Sequence, residues 1–439
     1  MRATESRIRD EACTAPGHIR TITTLASDWA RRPDVRVALV ATLGLRLATS
    51  AFVALVTYVL GGTYTHVVTE MTFYGKAHGG IATISAPLSG WPRYVTGPWL
   101  RWDASIYVTI AAQGYHASGS TAFLPLYPLL IRALGTVLGG HLTLAALLVS
   151  TCSAFMMFLL LYRLALRFTG SGAVARTSVL VACLLPISFF FMAPYTESLF
   201  LALSLGAIVA ALDARWRWAA ALGVLASLTR QQGPLLGLLA LPALWSAVAF
   251  AWKSRAYQRA TDSLWHIAGP LAAAVAPGLA YGAWVCYLLF VLRLPAPWQT
   301  LTSAHLWNQH FTVPGLAVLA DLRAFAAHPG HTLLYNLGLP LDIVATVLAA
   351  LGLALAVRRL PPGVVLYLVA CWAIATCKVM PDATTQSAAR YLLALLPLCI
   401  VPAAWLARGR PALRLAFVAA SLLLAGLCLG EWMLWSWVG

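Results

Sequence analysis

The chain has 439 residues, 60% of them hydrophobic and only 10% charged, with a mean hydropathy of +0.78. A soluble domain carries about 25% charged residues, so a water-soluble core of this size is excluded, and so is disorder, which requires few apolar residues. What remains is a multi-spanning membrane protein, in which the formal net charge of +16 reads first as a topology signal rather than as affinity for nucleic acid.

Residues 1–34 are polar and contain arginine, without the apolar core and cleavage site of a signal peptide. They are expected to form a cytoplasmic N-terminal tail, and 35–439 a single integral-membrane domain. The first span covers about 35–60 and leads outward. After a long polar region at 61–140, apolar runs recur at about 141–166, 174–193, 197–212, 218–229, 233–252, 264–292, 331–357, 363–380, 391–407 and 413–437. Crossing hydrocarbon takes about 20 residues in a helix. The pattern therefore predicts an all-α polytopic protein of about eleven transmembrane helices, of which 218–229 is the shortest. Basic clusters test the threading: Arg163, Arg167 and Arg176, then Arg215 and Arg217, Lys253, Arg255 and Arg259, Arg358 and Arg359, and Arg408, Arg410 and Arg414 all fall on the predicted inner side.

Phe123–Gly139 is short, carries Pro125, Pro128 and Arg132, and would invert this charge pattern if it crossed. It is read as an interfacial or re-entrant helix on the outer face. The outer regions are then 61–140, 293–330 and short turns near Tyr195, Arg230 and Asp382. Polar residues crowd one face and no internal repeat is visible, whereas a transporter keeps its polar sites at mid-depth, often between repeated halves. The eight cysteines form no CxxC pair and read as small apolar side chains.

Asp103 follows Arg101-Trp102 and precedes a stretch in which Ile106, Tyr107, Ile110 and Ala111 fall at helical spacing. This predicts an amphipathic surface helix, with Asp103 either its N-cap or a general base toward a hydroxyl. Glu197 stands at the outer start of an apolar run, where a carboxylate caps a helix, pairs with arginine or serves chemistry. Arg230 and Arg390 lie on the side depleted of basic residues. Each is a snorkelling arginine or a phosphate fork. His305, His310, His328 and His331 include an HxxH pair, but no third ligand at zinc spacing accompanies it. The tryptophans, Trp91, Trp99, Trp298 and Trp307 among them, read as interfacial anchors.

Five motifs in order carry a resemblance. They are Trp102-Asp103 with Ile110-Ala111 and Gly114-Tyr115; Phe123-Leu124-Pro125-Leu126-Tyr127-Pro128; Tyr195-Thr196-Glu197-Ser198-Leu199-Phe200; Thr229-Arg230 with Gly233; and Arg390-Tyr391. Over roughly 35–410 the chain resembles the PIG-V mannosyltransferases, and especially their bacterial members. It departs from them where Ala104-Ser105-Ile106-Tyr107 stands for Ser-x-His-Phe, and where Gln231-Gln232 stands for Ser-Asn.

The resemblance implies a GT-C glycosyltransferase at the plasma membrane, acting on the extracytoplasmic face with a polyprenyl-phosphate sugar and no cofactor or clear metal requirement. It implies Asp103 as the base and Arg230 and Arg390 as cations for the leaving phosphate. Glu197, Trp102, Tyr115, Tyr127, Tyr195 and Gln232 join them in the substrate site, and a lipid or glycan supplies the acceptor hydroxyl. Mannose is the expected sugar. Arabinofuranose or glucose transfer, a lipid-linked-sugar transporter and an inactive scaffold are the other readings.

Overall fold

The computed structural model describes residues 32–59, 92–116, 118–253, 260–330, 337–380, 385, 387–434 and 438. Most of the tail at 1–34, the first part of the 61–140 region, Trp91, His331 and Asp382 lie outside the described residues.

The architecture is all-α, because apolar segments satisfy their backbone groups internally only as helices. Among the described residues, seven helices are long and apolar enough to cross a membrane. They are Pro33–Val59, Leu142–Thr169, Gly233–Phe250, His266–Leu292, Gly338–Ala356, Ala388–Leu406 and Pro411–Met433. The other four of the expected apolar runs are also helical but shorter: Gly172–Cys183, Glu197–Leu212, Trp216–Ser227 and Pro362–Thr376 have 12 to 16 residues.

Leu142–Thr169 is the central post. It packs against Pro33–Val59, Leu126–Val137, Gly172–Cys183 and Glu197–Leu212, and buries Met157, Phe158, Leu161 and Leu164 completely. Gly170 closes it in the left-handed region at φ 64°. Leu126–Val137 buries Tyr127, Pro128, Ile131 and Gly135 while exposing Leu129, Leu130 and Val137. Its start is tied inward by a 2.9 Å hydrogen bond from the Leu126 N–H to the Leu228 carbonyl.

The helix Gly172–Cys183 stops ahead of Pro186, and a short 3-10 turn at Ser188–Phe191 follows. The next helix starts at Glu197. Phe189, Phe190, Phe191, Met192, Ala193, Tyr195 and Thr196 are each no more than 2% exposed. Protein covers this irregular backbone, the condition under which such backbone is tolerated in an apolar setting. Arg46, inside Pro33–Val59, holds the turn in place by donating to the Met192 carbonyl at 2.6 Å and to Thr151 Oγ1 at 2.6 Å. The one strand pair described is antiparallel, His310↔Val379 and Phe311↔Lys378.

The helix expected after Trp102 is present as Asp103–Gln113, but it is not a surface helix. Residues 104–111 are all buried, because Leu126–Val137 and Leu142–Thr169 pack against it. Asp103 is not its N-cap either. Trp102 holds that position without a side-chain hydrogen bond, and Asp103 is the first helical residue.

Candidate active site

Asp103, Glu197, Arg230 and Arg390 come from four separate segments and meet as one buried cluster. Arg390 donates from Nη1 to Asp103 Oδ2 at 2.7 Å, and from Nε to Glu197 Oε1. Arg230 donates from Nη1 to the same Glu197 oxygen at 2.5 Å, with Thr196 Oγ1 at 3.4 Å. Glu197 is 1% exposed, Arg390 7% and Arg230 8%. Two carboxylates thus balance two guanidiniums, which removes most of the cost of burying charge.

Local backbone geometry aims these groups. Trp102, with φ 53° and ψ −131°, turns the chain so that Asp103 faces inward instead of capping, and Ser105 braces the turn by donating to the Trp102 carbonyl at 2.8 Å. Ser387 is likewise left-handed at φ 64°, just ahead of the short helix Ala388–Leu392 that carries Arg390. Non-glycine residues at positive φ are strained and gather at functional sites. Asp342 Oδ1 accepts the Ala389 N–H at 2.7 Å, and Thr385 links Asp342 to Asp321 through its hydroxyl, at 3.3 and 2.6 Å. A buried acidic pair therefore anchors the turn that presents Arg390.

The Arg390 guanidinium carbon lies 4.6 Å from the ring centroid of Tyr195 and 5.2 Å from that of Phe190. Tyr195 is a floor residue, and its hydroxyl donates to the Arg101 carbonyl at 3.1 Å. Arg230 and Lys378 both lie against Tyr391, at 5.2 and 4.2 Å from its centroid. Among the described residues Lys378 pairs with no carboxylate; its Nζ lies 3.4 Å from Gln231 Oε1.

A cavity of about 440 Å³ opens on the cluster. Asp103, Arg230 and Arg390 line it with Trp102, Tyr107, Phe123, Thr196, Gln231, Trp307, Gln309, Ser387 and Tyr391. Small-molecule sites have this size and this aromatic wall with a few polar groups. Burial, with the Asp103 carboxylate next in effect, keeps the Tyr107 phenol well above its ordinary value, so it stays protonated. Its hydroxyl lies 3.3 Å from Thr196 Oγ1.

Trp102, Asp103, Arg230 and Arg390 of the expected site residues reach this cavity. Glu197 and Tyr195 lie directly behind it. Gln232 also stands behind it, donating to the Tyr391 carbonyl at 3.1 Å. Tyr115 and Tyr127 do not line it. Tyr115 donates to the Phe123 carbonyl at 2.9 Å, while Tyr127 meets Ser150 Oγ at 2.7 Å and the Ala146 carbonyl at 3.1 Å. Gln309, Lys378 and Asp342 were not singled out in the sequence, and Tyr107 was named for its helical spacing and its departure from the family pattern, not as a site residue. Lys378 and Gln309 had one available signal, polar residues in segments read as lying on the same side as Arg230.

Among the described residues no group of three His, Cys, Asp or Glu side chains is placed to hold a metal ion. His305, His310 and His328 are exposed.

Comparison with curated proteins and with solved structures gives no match. Residues 82–238, which contain Asp103, Glu197 and Arg230, match the family model described as Mannosyltransferase (PIG-V); this bears out the resemblance for the first four motifs, with Arg390-Tyr391 beyond the matched residues, and supports membrane mannosyltransferase activity.

Proposed function

We propose that the protein transfers mannose from a polyprenyl-phosphate mannose to a hydroxyl of a lipid-linked or cell-envelope acceptor, on the extracytoplasmic face of the plasma membrane. One observation carries this reading. Among the described residues Arg230 is hydrogen-bonded through Nη1 alone, to Glu197 and Thr196, and it lines the same cavity as Asp103. A guanidinium has five N–H donors, so Arg230 has a fork left for an anion beside a carboxylate suited to take a proton.

The chemistry is a single displacement with inversion. The acceptor oxygen attacks the anomeric carbon and its proton passes to Asp103. The bond from that carbon to the phosphate oxygen breaks, and polyprenyl phosphate leaves with the electron pair. Negative charge grows on the phosphate as the bond opens, and cations already in place stabilise it without reorganising. Arg230 supplies that charge directly. Arg390 orients Asp103 from one side and Glu197 from the other, and Glu197 keeps the two guanidiniums together. No cofactor is assigned a part.

The test is direct. Purified protein in liposomes, given radiolabelled β-linked polyprenyl-phosphate mannose and a membrane lipid extract, is expected to form an α-mannosidase-sensitive product. Label moving only from the glucosyl or arabinofuranosyl donor overturns the choice of sugar. A β-linked product overturns the inversion.

A further inference from the structure

Gln309 is 6% exposed and lines the cavity, yet its Oε1 is buried with no hydrogen-bond partner among the described residues. Buried polar side chains are almost always paired, and each exception calls for a cause. The backbone fixes where this residue stands. The Gln309 N–H donates to the Leu301 carbonyl at 2.8 Å, and Asn308 before it is left-handed at φ 48°. Immediately after it, His310–Phe311 pair with Lys378–Val379. Three constraints thus hold this residue, with its unsatisfied oxygen, at the cavity wall, two residues beyond Trp307, which lines the same cavity.

The partner such a group lacks is a hydrogen-bond donor. A phosphate oxygen is an acceptor and does not match Oε1. A sugar ring does, because it offers hydroxyl donors around its rim and C–H faces that pack on aromatic walls such as Trp102 and Trp307. We propose that Gln309 accepts a hydrogen bond from a hydroxyl of the transferred sugar, and so helps to determine which sugar the enzyme takes. This rests on the reading that the cavity receives a lipid-phosphate sugar.

Binding separates the two ideas. Affinities of purified protein in nanodiscs are measured for polyprenyl-phosphate mannose and for sugar-free polyprenyl phosphate. The wild-type protein is expected to prefer the sugar-bearing lipid. Gln309→Met, close in shape but without the amide, is expected to lose about tenfold or more of that preference while binding the sugar-free lipid unchanged. Gln309→Glu, which keeps an acceptor at the same place, retains more of the preference than Gln309→Met. An unchanged preference in Gln309→Met overturns the proposal. So does an equal loss of affinity for both lipids, or a wild-type protein with no preference. If the preference behaves as expected but no mannose is transferred, the proposed function fails, while the contact of Gln309 with the sugar of the bound lipid stands.

Discussion

Arg390 and Asp103, 287 residues apart in sequence, form a buried ion pair at 2.7 Å, and the same guanidinium also reaches Glu197. One planar group therefore spans two carboxylates, a geometry that a single ammonium cannot reproduce. Arg390→Lys keeps the charge and loses the span. Transfer is expected to fall by about 10²–10³-fold, the usual effect of removing one preorganised donor. Rates near wild type would show that only the charge of Arg390 matters.

Asp103→Asn tests the base. A positioned acid or base contributes about 10²–10⁴-fold, and a loss in that range is expected in kcat. Folding is expected to survive, because Arg390 keeps Glu197 as its counter-ion. A melting temperature in detergent within a few degrees of wild type supports this, whereas collapse of the fold would make Asp103 a structural residue.

Glu197→Gln is expected to behave differently. Glu197 Oε1 takes hydrogen bonds from both arginines, so neutralising it removes the shared counter-ion of both guanidiniums at the most buried point of the cluster, whereas Asp103 is bonded to Arg390 and not to Arg230. Breaking a buried pair costs about 3–5 kcal/mol. Thermal unfolding of the two variants side by side should therefore rank Glu197→Gln well below Asp103→Asn in stability. The reverse ranking would remove Glu197 from the centre of the charge cluster.

Gly233 explains why the Arg230 motif ends in glycine. A Cβ added there would stand 2.3 Å from both the backbone N and the Cα of Ser227, and backbone cannot step aside as a flexible side chain can. Gly233→Ala must reshape the turn at 228–232 that presents Arg230, and overpacking alone costs about 1–3 kcal/mol. A lower melting temperature together with weaker binding of sugar-free polyprenyl phosphate is expected. Retention of both would mean that the turn has room the structure does not show.

Tyr107 gives the stability a pH dependence. Its phenol is held above the ordinary tyrosine value of about 10 in the folded protein, by burial first and the Asp103 carboxylate second. The unfolded chain therefore releases this proton at lower pH than the folded one. The contribution is complete below about pH 10 and is lost as the pH rises beyond it. Tyr107→Phe should flatten the alkaline fall in melting temperature, and parallel curves for the two proteins would exclude Tyr107 as a cause.

The helices were legible because apolar runs announce themselves, and the cluster was legible in part because Asp103, Glu197, Arg230 and Arg390 thread to one side. Periodicity says which residues are apolar but not what will cover them. The Asp103–Gln113 helix accordingly read as a surface element, although its neighbours bury it. The cap reading of Asp103 stayed open beside that of a base because nothing local announces the left-handed turn at Trp102. The Tyr115 and Tyr127 hydroxyls are spent on Phe123, Ala146 and Ser150, pairings that only the packed structure supplies. Gln309 and Lys378 escaped notice because two short segments far apart in sequence must pair before Gln309 stands at the cavity and Lys378 beside Gln231 and Tyr391.

The four-segment construction of the charge cluster also has a consequence in time. During synthesis Asp103, Glu197 and Arg230 all emerge well before Arg390, so for much of that interval only two carboxylates and one guanidinium of the cluster have been made. The growing protein has an unbalanced charge to keep hydrated until its C-terminal part arrives and docks. The last partner to be made is also the one that aims the base, so the unfinished chain lacks the group that readies Asp103 for catalysis.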